Sequence, residues 1–272
     1  MSIRHDFEGP HQGDLTIVDE YGTADGPVLV YLHSEWGAFE EPPLSGELLE
    51  TGRVLVVHLP GWGASTSVRP ASSLADMALA VWWALDRLET GTVRLVGHGI
   101  GATLAAEMAA AQPGRVESLA LMAPWGMFDE ADPGADMFAL LPRDLAPLVY
   151  TDPNGPVAAA HLPKPADAHE AGLAVIRRVQ VLGAASNYLF PIPDTGIAER
   201  LYRLADVPVL LLWGAQDGVV PASLAGQWTE HLPHARSVVI QDAAHMLPYE
   251  SADARKLILE FTGAANPSAR SA

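Results

Sequence analysis

Short runs of apolar residues recur along the chain, and each has the length of a buried β-strand. Because nearly every position in a run is apolar, rather than every second one, the runs indicate strands covered on both faces. They lie at residues 27–33, 53–59, 93–97, 118–124, 207–214 and 236–241. Segments with a helical period of apolar residues lie between and after them, at 73–89, 100–112, 223–232 and 252–263. This alternation predicts an α/β fold with a doubly wound, mostly parallel sheet.

One long segment interrupts the alternation of strands and helices. Residues 127–204 contain no convincing buried strand, and the segment is too long for an ordinary crossover connection. Within it, residues 166–186 have a helical pattern. We therefore expect an α/β core domain at 1–126 and 205–263, an inserted helical cap at 127–204, and a flexible tail at 264–272.

Composition and charge narrow the possible classes of function. The 272-residue chain is 49% hydrophobic and 18% charged, which is typical of a globular protein rather than a disordered one. It carries 33 acidic and 16 basic residues, for a net charge of −17, and has no Lys/Arg cluster, so we expect no nucleic-acid partner. It has no cysteine, which excludes disulfides, a thiolate metal site and a cysteine nucleophile.

The sequence contains no targeting or membrane-spanning pattern. The first residues, MSIRHDFEGP, lack the apolar core of a secretory signal. No run of about 18 apolar residues, the length needed to span a membrane, is present. We therefore expect a cytoplasmic protein with no membrane partner, and the oligomeric state stays open.

The segment VRLVGHGIGATLAAEMA, residues 93–109, predicts a strand, a sharp glycine turn and a helix. Such a unit often presents a nucleophile at the apex of its turn, in the pattern G-x-S-x-G. Here Gly99 lies at the apex, so no hydroxyl group is present there. The small residues Gly97 and Gly101 allow the strand to approach closely the helix that begins near Ile100.

Two further candidate residues follow later strands. Asp217 lies in a turn after 207–214, and His245 lies in a turn after 236–241. The order apex, aspartate, histidine is the chain order of the α/β-hydrolase triad. Together with the turn LPGWGASTS at 59–67, these motifs resemble the α/β-hydrolase superfamily over nearly the whole chain. The resemblance is closest to the capped members, namely carbon–carbon bond hydrolases, epoxide hydrolases, haloalkane dehalogenases and esterases.

The resemblance implies a role for each matching residue. Asp217 matches the acid that orients the histidine, and His245 matches the general base. Gly99 matches the nucleophile position but has no side chain to attack with. The backbone N–H groups of Ile100 and Glu35 match the donors that stabilise an oxyanion. Other residues expected at this pocket are Ser34, Trp36 and His98.

Several of these residues also have plain structural explanations. Glycine tolerates a strained apex better than other residues, so Gly99 is compatible with a chain that no longer catalyses a reaction. Asp217 and His245 could form a hydrogen bond that only joins two loops. A solvated loop acid explains Glu35 slightly better than a catalytic role, and His98 is explained by packing. The histidines show no metal-binding pattern, and no cofactor is implied.

Without a nucleophile at the apex, the expected chemistry depends on His245. Oriented by Asp217, His245 could deprotonate a water molecule or a substrate, and Gly99 would make room for either. We therefore expect a hydrolase or lyase that acts on a small apolar or aromatic carbonyl compound between core and cap. Two alternatives stay open: a non-catalytic protein that binds a small molecule, and a serine-to-glycine variant of an ordinary serine hydrolase.

Overall fold

The computed structural model describes residues 2–9, 12–23, 26–39 and 52–263. The strands within these ranges are β1 Ile3–Glu8, β2 Leu15–Gly22, β3 Val28–Leu32, β4 Arg53–His58, β5 Val93–His98, β6 Val116–Met122, β7 Val209–Gly214 and β8 Arg236–Ile240. They form one sheet in the order β1-β2-β4-β3-β5-β6-β7-β8. Strands β3 to β8 are parallel to one another, whereas β1 and β2 are antiparallel to their neighbours. The predicted α/β fold with a mostly parallel sheet is confirmed.

The six predicted strands all form, and their ends lie within two residues of the expected positions. The apolar-run criterion missed β1 and β2, because neither is a continuous apolar run. β1 is exposed or only partly buried along its length. β2 carries Asp19 next to its apolar centre, and Asp19 bonds to Arg4 of β1 at 2.8 Å and to His58 of β4 at 2.8 Å. These ion pairs allow charged residues to lie within paired strands.

Helices form at the four predicted places, and a short helix at Leu247–Glu250, which was not predicted, is also present. They are α1 Leu74–Arg87, α2 Ile100–Ala111, and, nearer the C-terminus, Leu224–His231, Leu247–Glu250 and Ala252–Phe261. The Ser73 side chain accepts a hydrogen bond from the Asp76 N–H at 3.1 Å, and so caps α1 as the sequence indicates. Helix α2 is buried at every position except its last, and it packs against β5 and β6.

The segment between β6 and β7 is largely helical. It contains α3 Pro142–Val149, α4 Pro156–His161, α5 Ala168–Leu189 and a 3₁₀ helix at Ile197–Leu204. Helix α5 extends three residues beyond the C-terminal end of the helical pattern in the sequence. In the described ranges, no helix is both long and apolar enough to cross a membrane. The tail expected to be flexible, 264–272, lies outside the described residues.

A bidentate ion pair joins this segment to helix α2. The Glu107 side chain is 2% exposed within the apolar surroundings of α2. The Arg200 guanidinium donates to both of its carboxylate oxygens, from Nε at 2.8 Å and from Nη2 at 2.5 Å. Because an unpaired buried charge is far less stable than a paired one, Arg200 allows Glu107 to be charged inside the fold.

We expect Arg200→Ala to destabilise the fold by about 1–3 kcal/mol, since it leaves the Glu107 carboxylate buried without its donor. Adding Glu107→Gln to Arg200→Ala should recover part of this loss, because no charge is then left unpaired. Denaturant unfolding of the single and double variants measures the coupling. Arg236→Ala, at an exposed position, is the matched control. Strictly additive effects at 107 and 200 would contradict the prediction.

Candidate active site

The turn between β5 and α2 has the close-packed form that its sequence predicts. Gly99 adopts φ +56° and ψ −122°, in the left-handed half of backbone space that favours glycine. Its N–H donates to the Met122 carbonyl at 2.9 Å, and α2 begins at the next residue. A side chain at Gly97 or Gly101 would overlap the facing backbone, so both glycines are required for the close approach of strand and helix.

Asp217 and His245 meet at the same edge of the sheet. The His245 Nδ1–H donates to Oδ2 of Asp217 at 2.8 Å, and both side chains are fully buried. The other oxygen of Asp217 accepts hydrogen bonds from the N–H groups of Val219, at 2.9 Å, and Val220, at 2.8 Å. Asp217 is therefore held by its own loop, and it fixes the orientation of the imidazole.

The carboxylate of Glu35 joins this pair, which no sequence pattern indicated. Glu35 lies three residues after β3, and its side chain is fully buried. Its Oε1 lies 2.8 Å from Nε2 of His245, and its Oε2 accepts a hydrogen bond from the Ile100 N–H at 3.1 Å. The interpretation of Glu35 as a solvated loop acid is therefore wrong. The three side chains of Asp217, His245 and Glu35 are called the buried cluster below.

Glu35 occupies the space that position 99 leaves free. A Cβ at Gly99 would overlap Oε2 of Glu35, at a separation well below the 3.0 Å that real Cβ atoms respect. The expectation that this space holds water or substrate is corrected accordingly: a carboxylate of the chain itself fills it. The Ile100 N–H, expected as an oxyanion donor, bonds to that carboxylate. The backbone amide of Glu35, the second expected donor, also helps to lower the pKa of the same group.

The buried cluster carries two negative charges and one positive charge at neutral pH. Burial lowers the pKa of His245, but the charges of Asp217 and Glu35 outweigh burial and raise it from 6.5 to about 10. Burial raises the pKa of Glu35, but the charge of His245 outweighs it and lowers the value from 4.5 to about 2. His245 is thus an imidazolium between two carboxylates.

Two other buried histidines hold the loops in place and stay neutral. The His98 Nε2–H donates to the His245 carbonyl at 2.8 Å, and burial lowers the pKa of His98 to about 3. His33 donates from Nδ1 to the Ser34 carbonyl at 2.7 Å and accepts from the Leu59 N–H at 3.0 Å. Burial lowers the pKa of His33 to about 4. Over the described ranges, no group of three or more His, Asp or Glu side chains could hold a metal ion.

A cavity of about 670 Å³ lies beside the loop that carries Glu35. Trp36 and Trp62 line it, and the Trp62 indole N–H donates to the Glu35 carbonyl at 3.0 Å. The Ser34 hydroxyl accepts from the Trp36 N–H at 3.4 Å in the same loop. Residues of α5 also line the cavity, among them Arg177, Gln180, Val181, Asn187 and Tyr188. The side chains of the buried cluster do not line this cavity.

A family model described as the alpha/beta hydrolase fold matches residues 27–252. This range begins just before β3 and includes Glu35, the Gly99 turn, Asp217 and His245. The chain belongs to the α/β-hydrolase fold family. Membership explains why an apex, an acid and a histidine follow β5, β7 and β8 in this order.

Two proteins similar to this chain in sequence have different named activities. The chain is 28% identical over 249 residues to the dihydrolipoyllysine-residue acetyltransferase component of the acetoin cleaving system of Pseudomonas putida, covering 86% of the chain and 62% of that protein. It thus spans less than two thirds of that relative. It is also 28% identical over 233 residues to the 2-hydroxy-6-oxononadienedioate/2-hydroxy-6-oxononatrienedioate hydrolase of Burkholderia vietnamiensis, covering 77% of the chain and 76% of that protein.

Solved structures share the fold at lower identity. The 2-hydroxy-6-oxo-6-phenylhexa-2,4-dienoate hydrolase of Rhodococcus sp. strain RHA1 matches with a TM-score of 0.74 at 20% identity, covering 96% of this chain and 99% of that one. A bacterial membrane phospholipase A matches with a TM-score of 0.77 at 21% identity, covering 97% of this chain and 87% of that one. Both structures share the fold of this chain over nearly its whole length.

The buried cluster should make the free energy of unfolding fall at both high and low pH. The raised pKa of His245 contributes stability in full below 6.5, and this contribution is lost as the pH rises towards 10. The lowered pKa of Glu35 contributes in full above 4.5, and this contribution is lost as the pH falls towards 2. The gap in unfolding free energy between wild type and Glu35→Gln should therefore be largest between pH 4.5 and 6.5. A gap that is constant across pH would refute the charge assignment.

Gly99→Ser alone should be poorly tolerated. Its side chain would overlap Oε2 of Glu35, and the backbone at 99 adds about 1–3 kcal/mol of strain for a non-glycine residue. Adding Glu35→Ala should relieve the overlap and bring the new hydroxyl within reach of His245. We expect the double variant to unfold at higher denaturant concentration than Gly99→Ser and to release a burst of product from an activated aryl ester. Glu35→Ala alone is the control without a nucleophile. The prediction would be contradicted if the two substitutions changed the free energy of unfolding additively and the double variant released no burst of product.

Proposed function

We propose that this chain is a hydrolase that acts on small, largely apolar or aromatic carbonyl compounds, with His245 as its proton-transfer residue. The observation that carries the proposal is the 2.8 Å hydrogen bond from Nδ1 of His245 to Asp217, in a buried setting beside the Ile100 N–H. An oriented imidazole next to a backbone donor supports acyl-transfer chemistry. Family membership supports a hydrolase role in general terms.

Names of relatives favour the same class of substrate. One relative is the hydrolase of Burkholderia vietnamiensis described above. Another is the pimeloyl-[acyl-carrier protein] methyl ester esterase of Nitrosomonas europaea, which is 28% identical over 246 residues and covers 82% of this chain and 90% of that protein. The first name describes a hydrolase of an oxo compound, and the second describes an esterase that acts on a methyl ester.

The protonation of His245 determines the order of proton transfers in the proposed reaction. Because its pKa is raised to about 10, His245 holds a proton on each ring nitrogen at neutral pH. Its first role is therefore to donate a proton from Nε2 to a leaving group. Only the neutral imidazole formed in that step can act as a base. The molecule that it deprotonates is the attacking water. The expected general base thus begins the cycle as a general acid.

We propose the cavity beside α5 as the substrate site and the segment that contains α5 as the cap. Trp36, Trp62 and Tyr188 give this cavity aromatic walls, and the Trp62 and Tyr188 rings lie nearly parallel with centroids 6.3 Å apart. Arg177 adds a positive charge at the cavity of a chain with a net charge of −17. A planar or apolar acyl group that also carries an oxygen-rich end fits this lining.

Non-catalytic binding is the second candidate function, and one observation favours it. The buried cluster is fully enclosed, and the cavity does not reach its side chains. A small molecule in the cavity could then be held without reacting. In this case the buried cluster would stabilise the loops rather than perform chemistry.

Thermal-shift screening of aryl esters and aromatic carbonyl compounds, followed by mass analysis of every hit, separates the two functions. We expect hits to raise Tm by mass action and then to be hydrolysed. His245→Gln should reduce the rate by at least about 10²-fold, because the proton donor is lost. His231→Gln, at an exposed histidine, is the matched control and should leave the rate unchanged. Hits recovered intact, with equal affinity for wild type and His245→Gln, would establish binding without catalysis.

A further inference from the structure

We propose that the Glu35 carboxylate is the nucleophile of this enzyme and takes the place of the side chain that Gly99 lacks. The inference rests on the proposed hydrolase function and names the residue that attacks the substrate. It depends on three observations: where the carboxylate lies, which groups contact its two oxygens, and how its charge is linked to His245.

The Glu35 carboxylate lies where a nucleophile at the apex of the β5–α2 turn would lie, but it belongs to the loop after β3. Oε2 fills the site at which a Cβ of residue 99 would lie. Oε1 lies 2.8 Å from Nε2 of His245, the ring nitrogen opposite the one held by Asp217. A nucleophile must be next to the proton-transfer group, and the Glu35 carboxylate satisfies this condition. The Ile100 N–H bonds to Oε2, where it can stabilise charge that develops on Glu35 itself.

The two oxygens of Glu35 have different surroundings, which suit different roles. Oε2 is bonded to the Ile100 N–H, so charge that develops there during the reaction is stabilised by an existing donor. Oε1 contacts Nε2 of His245 at the distance of a hydrogen bond but without the alignment of one, and both atoms lack a hydrogen-bond partner. Buried polar atoms rarely lack a hydrogen-bond partner. Because no hydrogen bond occupies Oε1, it is the oxygen that we propose as the attacking atom.

The first half of the reaction forms an anhydride with the enzyme. Oε1 of Glu35 attacks the carbonyl carbon of an ester, and the bond from that carbon to the leaving oxygen breaks. The leaving oxygen takes its electron pair and then the proton from Nε2 of His245. The products of this half are a free alcohol, a neutral His245 and a mixed anhydride of Glu35 with the acyl group.

Water completes the reaction at Glu35. Neutral His245 takes a proton from water, and the resulting hydroxide attacks Cδ of Glu35, so that negative charge gathers on Oε2 beside the Ile100 N–H. The bond from Cδ to Oε1 breaks, and Oε1 leaves with the acyl group as a carboxylate. Glu35 is left as a carboxylic acid, which gives up its proton as the product departs. One turnover therefore puts one oxygen of water into Glu35.

The cavity beside the Glu35 loop does not reach the Glu35 side chain, but it is the route by which we propose that substrate arrives. Trp36, the next residue, lines that cavity, and so does Trp62, which is hydrogen-bonded to the Glu35 carbonyl. A substrate held between the aromatic walls would therefore contact the residue that follows Glu35 in the chain. Because Glu35 is fully buried, the groups that cover it must shift when the acyl carbon approaches Oε1.

The test is hydrolysis of an aryl ester in ¹⁸O-water, followed by peptide mass spectrometry of the intact wild-type protein after many turnovers. We expect ¹⁸O in the peptide that contains Glu35 and none in the peptide that contains Asp217, which is the internal control. Protein incubated without ester should carry no label. Because the readout uses the wild-type chain, it does not depend on the folding of a variant.

Variants provide the second arm of the test. Glu35→Gln keeps the size of the side chain but should reduce hydrolysis by at least about 10²-fold. Glu230→Gln, at an exposed position, should leave the rate unchanged. Hydrolysis with label only in the released acid, or undiminished in Glu35→Gln, would overturn the nucleophile while leaving the hydrolase intact. Failure of the wild type to hydrolyse any ester of the panel would overturn both proposals.

Discussion

One imidazolium held between two carboxylates organises this molecule. The side chains of His245, Asp217 and Glu35 are fully buried, and each charge is stabilised there by an oppositely charged neighbour. The loops after β3, β7 and β8 each supply one of them. These loops must therefore meet with their backbones in fixed positions, and the glycines at 97 and 101 allow the β5–α2 unit to approach closely enough for the Ile100 N–H to reach Glu35.

The same constraint links two positions far apart in the sequence. In the sheet, Leu32 of β3 pairs with Gly97 of β5, so the residues that follow the two strands emerge side by side. Glu35 and Gly99 lie in these adjacent loops and share a volume that holds one side chain. A carboxylate at 35 requires glycine at 99, because a Cβ there would overlap Oε2. The missing apex side chain and the acidic loop residue are thus one feature of the fold.

Sequence patterns predicted the frame of the fold and part of the site. Six parallel strands and the capped helix α1 follow from local apolar periodicity, which depends only on residues near each other in the chain. Apolar periodicity did not predict β1 and β2, because these strands contain charged residues. Ion pairs such as that of Asp19 with Arg4 allow those residues to lie within the sheet. Local pattern placed Asp217 and His245 after β7 and β8. It could not place the Glu35 side chain, since a lone acid after His-Ser has no periodicity. The overlap of Oε2 with a Cβ at position 99 becomes visible only in the folded chain.

In the proposed reaction, the charge balance of the buried cluster would allow one histidine to serve as acid and base in turn. While Glu35 is a carboxylate, its charge and that of Asp217 hold a proton on His245 and raise its pKa to about 10. If Glu35 becomes part of an anhydride, it loses its negative charge and one of the two causes of that shift disappears. Burial, which lowers the pKa of His245, then weighs more heavily, and the proton leaves more readily. Release of the product restores the carboxylate and, with it, the affinity of His245 for its proton. A nucleophile that is itself charged therefore sets the protonation of its partner at each stage, which a neutral serine at the apex could not do.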